Sequence, residues 1–127
     1  MPLTAALAVA LLAAVALFQA ALALGAPFGK AAWGGQHPGV LSARLRIASG
    51  VAAVVVYPLV VLLVLAVAGV VEWGWTPGTA RVVGWLLAGL FTVGALLNAI
   101  SRSPAERWWA PASLGIAVCC AVLALSA

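Results

Sequence analysis

Along the chain, four long apolar stretches alternate with three more polar ones. The apolar stretches cover residues 3–24, 47–71, 82–100 and 108–125, and none holds an Asp, Glu, Lys, Arg or His. About 20 helical residues cross a hydrocarbon core roughly 30 Å thick, so each stretch is long enough to span a bilayer. In lipid only helices and closed barrels satisfy their own backbone, and unbroken runs of this length predict helices. The expected fold is an all-α membrane protein, a single four-helix transmembrane bundle. The first stretch could be mistaken for a secretory signal, since Ala21-Leu22-Ala23 loosely resembles a cleavage site. No basic residue precedes it, however, and it exceeds the usual apolar region of a signal, so it is read as a span.

Local signals refine the helix starts. Ser103-Pro104-Ala105-Glu106 has the form of a capping box, with Ser103 as N-cap, Pro104 in the first turn and Glu106 reaching back to the cap amide. Thr76-Pro77 marks the start of the third helix in the same way. Tyr57-Pro58 falls inside the second stretch and predicts a kink there. In the third helix, Gly84, Ala88, Thr92, Ala95 and Ala99 fall within about 80° of one another, a face suited to close helix packing or to association between copies. Asn98 lies at the edge of that arc. Gln19 shares a face of the first helix with Ala5, Ala8, Ala16 and Ala23.

Composition closes off the soluble alternatives. Of 127 residues 67% are apolar and 6% charged, with a mean hydropathy of +1.26. A soluble domain this small has too much surface to hide that content. The net charge of +4 does not point to nucleic acid, because six basic residues scattered among apolar runs make no phosphate-tracking stripe. Their distribution instead predicts topology. Lys30, Arg44 and Arg46 lie in the first connector, Arg102 and Arg107 in the third, and only Arg81 in the second. The positive-inside rule then places the first and third connectors in the cytoplasm and both termini outside. Trp33, Trp108 and Trp109 fall near the inner boundary and Trp73, Trp75 and Trp85 near the outer one, as aromatic belts do.

The first connector, residues 25–46, is the most unusual stretch. It carries Gly25, Gly29, Gly34, Gly35 and Gly39, the prolines Pro27 and Pro38, and the only histidine, His37. The helix directions put Gln19, Ser49, Asn98 and Ser113 near the cytoplasmic ends of the four helices, directly beneath it. This is the expected site: a polar recess under a structured, glycine-rich cytoplasmic loop. Candidate ligand contacts are Gln19, Lys30, Trp33, His37, Arg44, Arg46, Ser49, Asn98, Arg107 and Ser113. The basic members would meet an anionic group such as a lipid headgroup.

Catalytic and metal chemistry find little support. Glu72, Glu106 and one histidine make no nucleophile–base set, and the two carboxylates are expected on opposite sides of the membrane. His37 lacks co-ligands for zinc, and adjacent Cys119 and Cys120 match no redox or zinc spacing. Their position near mid-membrane suits packing. No catalytic residue, metal site or cofactor is expected. Spans without ionisable residues also argue against a proton-coupled antiporter.

GAPFGKAAWGGQHPGVLSARLR and NAISRSPAERWWAP together resemble an uncharacterised family of small four-span bacterial integral membrane proteins. The resemblance covers about a third of the chain and implies a location in the bacterial cytoplasmic membrane, but no activity. The leading expectation is a non-enzymatic protein that binds a lipid-like or amphipathic ligand, or a partner helix, at its cytoplasmic half. An uncoupled transporter or channel, assembled as a homo-oligomer through small-residue faces, is the alternative. An intramembrane enzyme relying on His37 or Glu106 comes last.

Overall fold

The computed structural model describes residues 2–127, and its regular elements are all helices, with no strand among the described residues. Four helices are long and apolar enough to cross a membrane: α1 (Pro2–Ala23), α2 (Ala43–Val67), α3 (Pro77–Ala99) and α4 (Pro104–Ser126). Less than a third of each apolar window is buried within the protein, between 22% and 28%. The remaining apolar surface includes Leu17, Val54, Leu86, Leu90 and Leu114 and is left uncovered by the described residues. That much contiguous exposed apolar area requires lipid, as in an integral membrane protein.

Caps, and not hydropathy, decide where the helices begin and end. Helix α2 starts at Ala43, ahead of the apolar run, because the Ser42 hydroxyl accepts from the Leu45 amide at 3.4 Å. It stops at Val67, short of the run's end, in a Schellman turn. Val70 N–H donates to Leu65 at 2.9 Å and Gly69, at φ +76°, donates to Ala66 at 3.1 Å. Thr76 caps α3 as expected, its hydroxyl accepting from Thr79 N–H at 3.1 Å. The kink expected at Tyr57-Pro58 takes the form of a π-helical turn over Ala52–Val56. Tyr57 N–H reaches back five residues to Ala52, so the chain absorbs one extra residue just before the proline.

The bundle closes as a ring in which α1 packs on α2 and α4, and α3 packs mainly on α4. Its core is formed by Ala8 and Leu12 of α1, Val60 and Val64 of α2, Leu87 and Ala88 of α3, and Ile116, Cys120 and Leu123 of α4. The α3–α4 contact is the tightest. A Cβ on Gly84 would stand 2.8 Å from the Cβ of Ala124 and 3.1 Å from Val67. Gly84, Ala88 and Ala95, part of the small-residue face read from the sequence, are buried inside the protein, whereas Ala99 is exposed.

Gly84→Val therefore overpacks this seam and should destabilise the bundle by about 1–3 kcal/mol. Thermal unfolding in detergent checks it. Ala124→Gly in the same chain removes the opposing methyl and should recover most of the loss.

Candidate functional site

The connector between α1 and α2 is folded onto the helix ends. It leaves α1 through a second Schellman turn, with Gly25 at φ +102° and Ala26 N–H donating to Ala21 at 2.9 Å. It closes on itself where Gly29 N–H meets the Gly39 carbonyl at 2.9 Å. Between these points run two single 3₁₀ turns, Gly29–Ala31 and Trp33–Gly35. The loop has its own small apolar core, in which Ala32 and Leu41 pack on Leu22 with Phe18 and Leu45 alongside. The third connector pins it from the other side, as Ser103 Oγ donates to the Lys30 carbonyl at 2.6 Å. Gly35, at φ +74°, lies directly against the Ser103 side chain, where a Cβ has no room.

Trp33 is the one described non-glycine residue with positive φ, at +51°. A bulky side chain there strains the backbone by about 1–3 kcal/mol and persists only when its surroundings hold it. What holds it is its indole N–H, which donates to Ser49 Oγ at 3.0 Å. Ser49 is 0% exposed and belongs to α2, so this bond fastens the loop to the bundle interior.

Beneath Trp33 lies a cavity of about 260 Å³ to which all four helices and the loop contribute. Phe18 and Gln19 come from α1, Ala52 and Tyr57 from the two ends of the π-turn in α2, and Phe91 and Asn98 from α3. Glu106, Trp109 and Ser113 come from α4, and Ala31, Ala32 and Trp33 from the loop. Ser113 Oγ is held by the Phe91 carbonyl at 3.1 Å, which ties α4 to α3 at this level. Phe18 and Trp109 meet across the wall with ring centroids 4.8 Å apart.

Glu106 departs from its expected role. Ser103 does stand at the N-cap of α4, but its amide donates to Ser101 Oγ at 3.2 Å and its hydroxyl is taken by Lys30. No return bond from Glu106 forms. The carboxyl group turns inward, 7% exposed, with Oε2 lacking any hydrogen-bond donor among the described residues. Gln19 Oε1 is likewise buried without a donor. Helix α4 begins at Pro104, four residues before its apolar run, so an ionisable side chain enters the bundle with its first turn.

The sequence-derived site thus divides in two. Gln19, Trp33, Asn98 and Ser113 line the cavity, and Ser49 adjoins it through Trp33. The basic candidates do not line it. Lys30, His37 and Arg44 carry exposed side chains. Arg46 donates to the Ala23 carbonyl at 3.1 Å, at the C-terminus of α1, and Arg107 donates to the Ser101 carbonyl at 2.6 Å. Glu106, Tyr57, Phe18, Phe91 and Trp109 were absent from the sequence-derived site. For Glu106 the available signal was its place as the only carboxylate near the polar helix ends. For the aromatic residues no signal separated cavity from core. Comparison with protein-family models, curated proteins and solved structures finds no match.

Ser49→Ala removes the acceptor of the Trp33 indole and leaves its strained backbone less supported. Loss of about 1 kcal/mol should raise amide hydrogen exchange in residues 29–39 by about fivefold, with the helix cores unchanged. Hydrogen-exchange mass spectrometry in detergent is the measurement.

Proposed function

We propose that this chain is a non-enzymatic integral membrane protein of the bacterial cytoplasmic membrane that binds a small amphipathic ligand in the cavity beneath the glycine-rich loop. One observation carries the reading. Every helix and the loop converge on a single recess, and Gln19 and Glu106, which line it, each carry a buried oxygen with no partner among the described residues. Native proteins rarely leave such groups unpaired, because each costs about 1–3 kcal/mol or more when charged. At about 260 Å³ the recess falls just under the usual range of small-molecule sites, roughly 300–1,000 Å³. It suits a headgroup or a small ligand and not a whole lipid.

The loop and the third connector face the cytoplasm in this reading. The five basic residues Lys30, Arg44, Arg46, Arg102 and Arg107 at that end support it, against Arg81 alone in the second connector. Exposed Lys30 and Arg44 would then lie among anionic headgroups of the bilayer, outside the cavity. The resemblance of the 25–46 and 98–111 segments to small four-span bacterial proteins supports the same membrane.

Binding is tested with three eight-carbon probes, octanol, octanoate and octyltrimethylammonium, titrated onto protein in a maltoside detergent with tryptophan fluorescence as readout. At least one should saturate. Ala52→Phe, which fills the recess, should weaken that binding about tenfold or more while thermal unfolding shows the bundle intact. Undiminished binding in this variant would remove the cavity as the site. For orientation, with Cys119 and Cys120 replaced by Ala, a cysteine at Gln36 should resist an impermeant maleimide in intact cells, and one at Glu72 should react.

A further inference from the structure

The lining of the cavity and the surface around it favour opposite charges. Two lining residues, Gln19 and Glu106, each carry a buried oxygen without a partner among the described residues, and of the two only the Glu106 carboxyl group bears on the sign of a ligand's charge. An ionised carboxyl group only accepts hydrogen bonds, and burying it unpaired is strongly unfavourable. None of the lining residues is Lys, Arg or His. The walls are Phe18, Trp33, Tyr57, Phe91 and Trp109, and aromatic faces attract cations that come within about 6 Å of the ring centroid. Carboxyl and rings reach the cavity for different structural reasons. Glu106 enters because Ser103 is engaged elsewhere, Tyr57 because of the π-turn, and Trp33 because Ser49 holds it. Both features nevertheless prefer the same sign of ligand.

From these features, and resting on the ligand-binding reading above, we infer that the cavity takes an organic cation, an alkylammonium group. A bare metal ion does not fit the donor set. Divalent hard cations need about six or more oxygen ligands, and no group of three or more His, Cys, Asp or Glu able to hold a metal occurs among the described residues. An alkylated ammonium spreads its charge over carbon, so it meets the rings by cation–π attraction and Glu106 by charge, with no hydrogen bond required. Lys30 and Arg102 lie outside this lining, around a neighbouring groove that Glu106 also borders. A longer chain on the ammonium has an exit. Phe18, Ala31 and Trp109 also border an outer groove of about 500 Å³ that continues over Phe28 and Trp108.

The probes above decide the matter. Octyltrimethylammonium should bind at least about tenfold more tightly than octanol or octanoate, a preference worth about 1.4 kcal/mol. Glu106→Gln, which keeps shape and removes charge, should abolish that preference without changing octanol binding, and Glu72→Gln should leave it untouched. Tetramethylammonium separates the two sources of the group. Binding as tight as the octyl probe marks a free small amine, and binding only with the chain marks an amphiphile headgroup. Equal affinity for all three eight-carbon probes, or a preference that survives Glu106→Gln, overturns the cation inference while the binding site stands. Saturation by none of the probes overturns both.

Discussion

A hydrocarbon environment offers no water to an unpaired polar group, and this constraint shapes the whole protein. Helices must satisfy their own backbone, so the chain crosses the hydrocarbon as four helices. Polar side chains must find partners or a shared recess, and in this chain they gather at one end. Gln19, Asn98, Glu106 and Ser113 come from three helices yet line one cavity. Away from that end the core is Leu, Val, Ile, Ala and Cys, packed through close approaches such as Gly84 on Ala124. Packing at one end and hydrogen bonding at the other is an efficient division for so short a chain.

How far the sequence disclosed this depends on the range over which each signal acts. The spans, Thr76 as a cap, and the depth of Gln19, Ser49, Asn98 and Ser113 follow from composition and helical rise, both local quantities. Glu106 shows where local signals end. Its sequence context fits a capping box, but the Ser103 amide that Glu106 would reach donates to Ser101 Oγ, and the Ser103 hydroxyl donates to a carbonyl 73 positions away. The Lys30 contact exists only in the folded loop, and nothing in the segment chose between Ser101 and Glu106 for the Ser103 amide, so the carboxyl group's inward turn was illegible. Trp33 is similar, since a tryptophan at positive φ is intelligible only once Ser49 is seen beneath it. Tyr57 was legible as the neighbour of a kink but not as a wall of the cavity.

The basic residues illustrate a different ambiguity. Charge counting assigns them to one side of the membrane, and that role needs no particular geometry. Arg46 and Arg107 have a second role, because each guanidinium donates to a carbonyl at or just beyond a helix C-terminus. Cations there satisfy orphan carbonyls and oppose the negative end of the helix dipole. Such residues are engaged by the protein before any ligand arrives, which is why their number near a loop is a poor guide to the charge a site prefers.

The π-turn in α2 has a consequence for phase. Ser49 and Tyr57 are eight residues apart, which in an unbroken α-helix would set them about 80° apart around the axis. One extra residue in the turn takes back about 100°, leaving the two nearly in line. Ser49 can therefore hold the loop's indole while Tyr57 borders the space directly below. The insertion acts as a gear tooth between two half-helices. The half before it is timed to the loop, and the half after it, through Val60, Val64 and Val67, is timed to the bundle core.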